Sequence, residues 1–195
     1  MTSSGKRVVA FVDGQNLFKC AQSAGYCTTP DYDPRALAAE ICRRKSWTLC
    51  QVRFYTGIPD SKRASRLFQA WQSKIDRMTA QGIMTCTRPL RYDAEGKARE
   101  KGIDVRIALD IVRLGNKGDF DVCLIFSQDQ DLKEAVHELR DIANEQGRKI
   151  LIASAYVAHP GSKYATRGIY DTDWIAIDEL LYDATREAVP FYSAH

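Results

Sequence analysis

The chain has 195 residues, of which 45% are hydrophobic and 27% charged, and its formal net charge is +3. That length suits one domain with a sizeable core, and the small net charge excludes a molecule that grips nucleic acid over its whole surface, so any such surface has to be local. No apolar run approaches the roughly 20 residues needed to span a bilayer, and the short polar stretch Met1–Arg7 lacks the extended apolar segment of a secretory signal.

In chain order, Arg7–Val12 reads as a buried strand stopped by Asp13-Gly14, and Gln15–Ser23 as a helix. Gly25–Tyr32 is a loop. Asp33 followed by Pro34 is an N-cap acid with proline at the first helical position, which predicts a helix over Pro34–Lys45. Leu49–Thr56 is β-rich. Ser61–Ala80 carries helical periodicity through Leu67, Trp71, Ile75 and Met78, with Gly82 as its C-cap, and Ile83–Thr87 is a short strand. Pro89–Lys101 is polar and reads as a loop or hairpin. A helix over Ile103–Leu114, ended by Gly115, leads to the strand Val122–Phe126. A helix over Leu132–Gln146, a strand over Lys149–Ala155, a last strand over Trp174–Ile177 and a terminal helix over Asp178–Ala188 complete the pattern. Strands that are apolar throughout and alternate with helices predict an α/β fold with a mainly parallel sheet covered on both faces.

The six cysteines form no CxxC pair and have no histidine at zinc spacing, and His137, His159 and His195 are scattered. Reduced thiols, no zinc site and a cytoplasmic location are expected. Motifs for phosphate-binding loops, dinucleotide binding and the serine nucleophile elbow are missing.

Acids recur instead where strands end. Asp13 follows the first strand directly, with Asn16 three residues on; Ser127-Gln128-Asp129-Gln130-Asp131 follows Val122–Phe126; Asp104 opens the helix before that strand. Parallel sheets gather ligand sites beyond their carboxyl ends. Ionised acids sharing one cleft repel one another and lose hydration, which a hard divalent cation offsets. Mg²⁺ or Mn²⁺, as one or two ions, takes such oxygen ligands and promotes attack of water on a phosphodiester. Each acid alone also suits an N-cap, and Asp129 is placed to cap the helix after it. Asp110 lies about 240° round its helix from Asp104, which assigns it to the outer face or to a supporting role. Asp119 and Asp121 belong to a solvated turn.

Phe11-Val12-Asp13-Gly14-Gln15-Asn16, Lys101-Gly102-Ile103-Asp104-Val105 and Ser127-Gln128-Asp129-Gln130-Asp131 resemble, in this order, the motifs of the NYN-domain family. That family includes LabA-type bacterial proteins and is a branch of the PIN-like ribonucleases. The resemblance runs from about Arg7 to Ile177, with a weaker ending at Asp171-Thr172-Asp173-Trp174-Ile175. It implies a PIN-like, Rossmann-like three-layer sandwich forming a single domain, with a core over about residues 7–177. It further implies metal-dependent hydrolysis of RNA, with Asp13, Asp104, Asp129 and Asp131 as catalytic metal ligands and Asn16 and Ser127 as supporting or substrate contacts. Gln130 departs from the smaller or acidic residue that many relatives carry there.

Between Asp60 and Lys101 stand ten Lys or Arg against five Asp or Glu. Lys62, Arg63, Arg66, Arg91, Arg99 and Lys101 are the candidates for phosphate contacts with RNA, or with single-stranded DNA; a solvated helical face is the alternative. Tyr55, Trp71 and Tyr92 are candidate stacking groups, although the spacing of Trp71 also suits the core. The rival functional reading is a non-catalytic RNA-binding or regulatory adaptor on the same fold. A homodimer is compatible with the sequence, and no membrane partner is expected.

Overall fold

The computed structural model describes residues 5–158 and 167–192; the predicted reading of His159 and His195 lies outside them. The elements are β1 (Arg7–Asp13), α1 (Gly14–Ser23), α2 (Pro34–Lys45), β2 (Thr48–Ile58), α3 (Ser65–Ala80), β3 (Met84–Pro89), β4 (Arg91–Tyr92), β5 (Ala98–Arg99), α4 (Ile103–Lys117), β6 (Val122–Phe126), α5 (Lys133–Glu145), β7 (Leu151–Val157), β8 (Asp173–Ile177) and α6 (Glu179–Ala184). A single 3₁₀ turn, Gln130–Leu132, leads into α5.

Six strands form one sheet in the order β3-β2-β1-β6-β7-β8, and every neighbouring pair in it is parallel. Alternate residues of a strand face opposite sides, and here each side has its own core. Val8, Ala10 and Val12 of β1 join Leu124 and Phe126 against α1, α2, α3 and α6. Val9 and Phe11 join Cys123 and Ile125 against α4 and α5. The result is a three-layer sandwich, a parallel sheet covered on both faces as the pattern predicts. β1 is central because the chain runs outward through β2 and β3 on one side and then returns to build β6, β7 and β8 on the other. The gap beyond the ends of β1 and β6 is therefore the topological switch point.

Several boundaries differ from the sequence reading. Helix α3 starts at Ser65, so Lys62 and Arg63 sit in the turn before it, where the Asp60 carboxylate accepts their backbone N–H groups. Gly115 does not end α4. It lies inside the helix, where a Cβ would stand 2.2 Å from Leu139 Cδ1, so its lack of a side chain lets α4 and α5 pack closely; the helix ends at Gly118, whose φ is 73°. The segment Pro89–Lys101 is a hairpin, with β4 and β5 antiparallel. The terminal helix is only Glu179–Ala184. After it, Glu187 turns back to pair with Lys74 and Arg77 of α3, and burial lowers the Lys74 ammonium below its ordinary pKa while Glu187 opposes that shift.

Asp110 is a correction to the sequence reading. It is 1% exposed rather than on the outer face, because the turn of α4 that carries it faces β2 across the sheet. Its Oδ2 accepts from Arg53 at 3.0 Å and from the Tyr55 hydroxyl at 2.9 Å, and Arg106 and Arg113 pair with Oδ1. Burial by itself raises the pKa of Asp110, but the Tyr55 and Arg53 hydrogen bonds outweigh it and keep the carboxyl ionised. Tyr55 is thereby committed to the core and has no face free for a base. Asp121 likewise is not merely solvated, since it holds Arg7 at the amino end of β1. Replacing Asp110 with Ala leaves Arg53 buried without its partner, and the expected cost is about 3 kcal/mol or more. Urea unfolding checks this: an unchanged midpoint would show that the Arg53–Asp110 pair contributes nothing to the fold.

Candidate functional site

β1 ends in Asp13, whose backbone is still extended while α1 begins at the next residue. The carboxylate therefore caps α1, accepting the Asn16 backbone N–H at 3.0 Å, and it is only 7% exposed. Its second oxygen accepts from the Ser127 hydroxyl at 3.4 Å, and the same hydroxyl accepts the Asp129 N–H at 3.2 Å. The Asn16 side-chain oxygen accepts the Gln128 N–H at 2.9 Å. Asn16 and Ser127 thus tie the end of β1 to the loop after β6. Gln130, the departure from the family pattern, donates to the Gly168 carbonyl and accepts from the Tyr170 N–H, so it straps the β6 loop to the segment before β8 and stays out of the cleft.

A cavity of about 400 Å³ opens over this junction, bordered by Asp13, Asn16, Lys19, Glu100, Lys101, Asp104 and Asp129. Three of the four predicted aspartates meet there. Asp131 does not: it is exposed and borders a neighbouring groove on the far side of Asp104. Asp129 also caps, accepting the Asp131 N–H at 3.1 Å, so capping and cleft placement coexist in one side chain.

Glu100 is the cleft residue that the sequence reading omits. It stands at the end of the hairpin, and its carboxylate accepts the Gly57 N–H. A Cβ on Gly57 would stand 2.7 Å from Glu100 Cγ, so the glycine is what admits this close approach. The only sequence signal was an acid immediately before Lys101-Gly102, in a stretch whose folding depends on the hairpin.

The electrostatics follow from this crowding. Burial pushes the Asp13 carboxyl up to about 6, and the Asp129 charge adds to that while the Asn16 and Ser127 hydrogen bonds oppose it. Burial pushes Glu100 up to about 7; the charges of Asp13 and Asp104 act the same way, and the Gly57 N–H and Lys19 act against them. Among the described residues no group of three or more His, Cys, Asp or Glu side chains forms a metal cage. Mg²⁺ requires less than that, since it is usually held by one or two carboxylates with waters and substrate phosphate. A buried Asp13 beside Asp129, with its pKa raised to about 6, suits such an ion, because a cation stabilises the ionised form that burial disfavours. The residues present fit.

Residues 7–162 match the sequence profile of the NYN domain. The chain belongs to the NYN-domain family. Over 139 residues it is 26% identical to "Low amplitude and bright protein LabA" of Synechococcus elongatus, an alignment covering 69% of this chain and 68% of that protein. The NYN match spans β1 to β7 and so contains the whole acidic cleft; β8 and α6 lie beyond it.

Of the predicted basic contacts, only Lys101 borders the NYN cleft, joined by Lys19, which the sequence reading passed over. Arg63 instead packs over the Tyr92 ring at 4.7 Å and Arg66 over Tyr192 at 5.0 Å. Arg99 pairs with Asp93 in the hairpin, and Lys62 and Arg91 are exposed. None of these five lines the acidic cavity. No helix among the described residues is long and apolar enough to cross a membrane, and all six cysteines are free thiols.

Glu100→Gln tests the crowding. The folded protein holds the Glu100 proton up to about pH 7, whereas an unfolded glutamate loses it near its ordinary value of about 4.3. The ionisable wild type therefore loses stability as pH rises between those values, and the amide variant does not. At pH 8 without metal the variant should be the more stable, by about 1 kcal/mol once solvent screening of a part-exposed group is allowed for, with the difference vanishing near pH 4. Thermal unfolding across that range checks it, and equal melting curves at pH 8 would refute the crowding.

Proposed function

We propose that this NYN protein is a divalent-metal-dependent ribonuclease that hydrolyses RNA phosphodiester bonds in the acidic cleft. One observation carries the reading: Asp13, Asp104 and Asp129, delivered by a strand end, a helix start and a loop, border the same cavity at the switch point of the sheet. A surface built only to hold phosphates gains nothing from gathering negative charge.

In this reading Asp13 and Asp129 hold Mg²⁺ or Mn²⁺, with Asp104 facing them across the cleft. Asp131 stands in the adjoining groove. The bound ion supplies neutralisation of the phosphodiester charge and lowers the pKa of a water. The protein's own groups do the rest. Asn16 and Ser127 keep the Asp13 carboxylate oriented. Lys19 and Lys101 contact substrate phosphates, an attraction without sequence preference. Glu100, with a pKa near 7, sits where a group can exchange a proton at neutral pH through the carboxylate oxygen not engaged by Gly57. The family match supports nuclease chemistry.

The second reading, an RNA-binding or regulatory adaptor without turnover, draws support from the lack of a three-acid cage among the described residues. Incubation of the purified chain with labelled RNA and DNA, with Mn²⁺ or with chelator, separates the two. The nuclease reading expects RNA cleavage that chelator removes and that Asp129→Asn or Asp104→Asn lowers by about a hundredfold or more, given the several kcal/mol an ion contributes to such a transition state. Binding without cleavage under every metal condition selects the adaptor, and cleavage that persists in chelator excludes the metal mechanism.

A further inference from the structure

Beside the acidic cleft lies a second cavity of about 300 Å³, walled by Phe18, Trp71, Leu90, Pro59 and Phe191. None of the residues lining it carries a charge. Its polar side chains are all uncharged: Thr28 and Thr29 in the loop before α2, Gln15 at the start of α1, Thr56 near the end of β2, and Tyr192. The Thr56 hydroxyl is 1% exposed, and its one hydrogen bond among the described residues is a long one, 3.5 Å to the Gly57 carbonyl. A buried hydroxyl so poorly used, in an uncharged and mainly apolar recess, is short of a partner.

The two cavities are contiguous. Gln15 borders both, and Gly57 lines the second while its N–H holds Glu100 in the first. Leu67 and Tyr192 line both this recess and a further groove that contains Arg66, and Tyr192 carries the Arg66 guanidinium over its ring at 5.0 Å. The order across the surface is therefore acids with Lys19 and Lys101, then a neutral aromatic recess, then a cation.

We infer that this recess is a nucleobase pocket, taking one unstacked base of single-stranded RNA whose backbone runs from the acidic cleft toward Arg66. The inference rests on the ribonuclease reading for its substrate class and adds what holds that substrate. A base is flat, uncharged and polar only at its edges, which matches aromatic and proline walls with hydroxyls and an amide among them. A phosphate matches the charged groups on either side and not the recess between them. Thr56 supplies a donor and acceptor for a base edge. Because the base leaves its stack to enter, duplex RNA is excluded from the pocket.

The test measures binding apart from turnover. Anisotropy of a labelled single-stranded oligoribonucleotide is followed on the full chain carrying Asp129→Asn, and abasic positions are then scanned along the oligonucleotide. One abasic position should weaken binding about tenfold, the scale of losing one stacked base, and a duplex of the same sequence should bind more weakly than the strand. Thr28→Trp and, separately, Thr29→Trp, which fill the recess from its rim, should each weaken binding of the intact strand to a similar degree and abolish the penalty at that one position, as expected when both changes remove the same contact. A flat abasic scan overturns the pocket, as does full affinity in both filled variants, or a penalty seen on the matching DNA strand and not on RNA. Cleavage by the wild type with a flat scan refutes the pocket alone, whereas a position-specific penalty without cleavage under any metal condition refutes the nuclease reading and leaves the base pocket standing.

Discussion

A carboxylate buried at the end of the central strand is the constraint on which the rest of the site depends. Asp13 satisfies its oxygens with a helix-start N–H and one serine hydroxyl, and neither carries a positive charge. Burial pushes an acid so placed up to about 6. The Asp13 hydrogen bonds double as joints: capping fixes the start of α1, and Ser127 fixes the loop after β6. Loss of charge balance and precision of geometry therefore reside in the same few atoms.

Distant parts of the chain reinforce that point. Tyr32, fully buried, donates its hydroxyl to the Gly14 carbonyl at 2.8 Å, directly beneath Asp13. The Lys74 ammonium donates to the Tyr32 carbonyl at 2.8 Å and pairs with Glu187. Asp31 and Arg186 hold the same loop against the final turn. The segment after α6 is thus connected to the acidic cleft through three buried side chains. On the other face of the sheet, Asp110 with Arg53 and Tyr55 joins α4 to β2 and so positions the helix whose first turn carries Asp104.

The surface above these supports is divided by chemistry. Acids and two lysines gather at the switch point, beyond the ends of the neighbouring strands β1 and β6. The neighbouring recess is neutral because α1, α3 and the loop before α2 turn uncharged side chains toward it. The hairpin β4–β5 is the divider, since it brings Glu100 to one side and Leu90 to the other. A short polar stretch with weak secondary-structure signals thereby shapes both cavities.

By itself the sequence determined the elements and the acids at their ends. Apolar runs of strand length, caps such as Asp33-Pro34 and the order of the three motifs are local properties, so Asp13, Asp104 and Asp129 could be read from them together with the parallel sheet. Tertiary structure alone decided which polar residues share a space. Glu100 enters the cleft because a hairpin folds back onto Gly57, Asp131 points elsewhere because a 3₁₀ turn intervenes between Asp129 and α5, and Asp110 is buried because Arg53 waits on β2. Arg63 and Arg66 lie over tyrosines for the same reason. Each of these depends on partners 30 to 60 positions away or more, or on a one-residue change in backbone direction, and no periodicity along the chain encodes such a meeting.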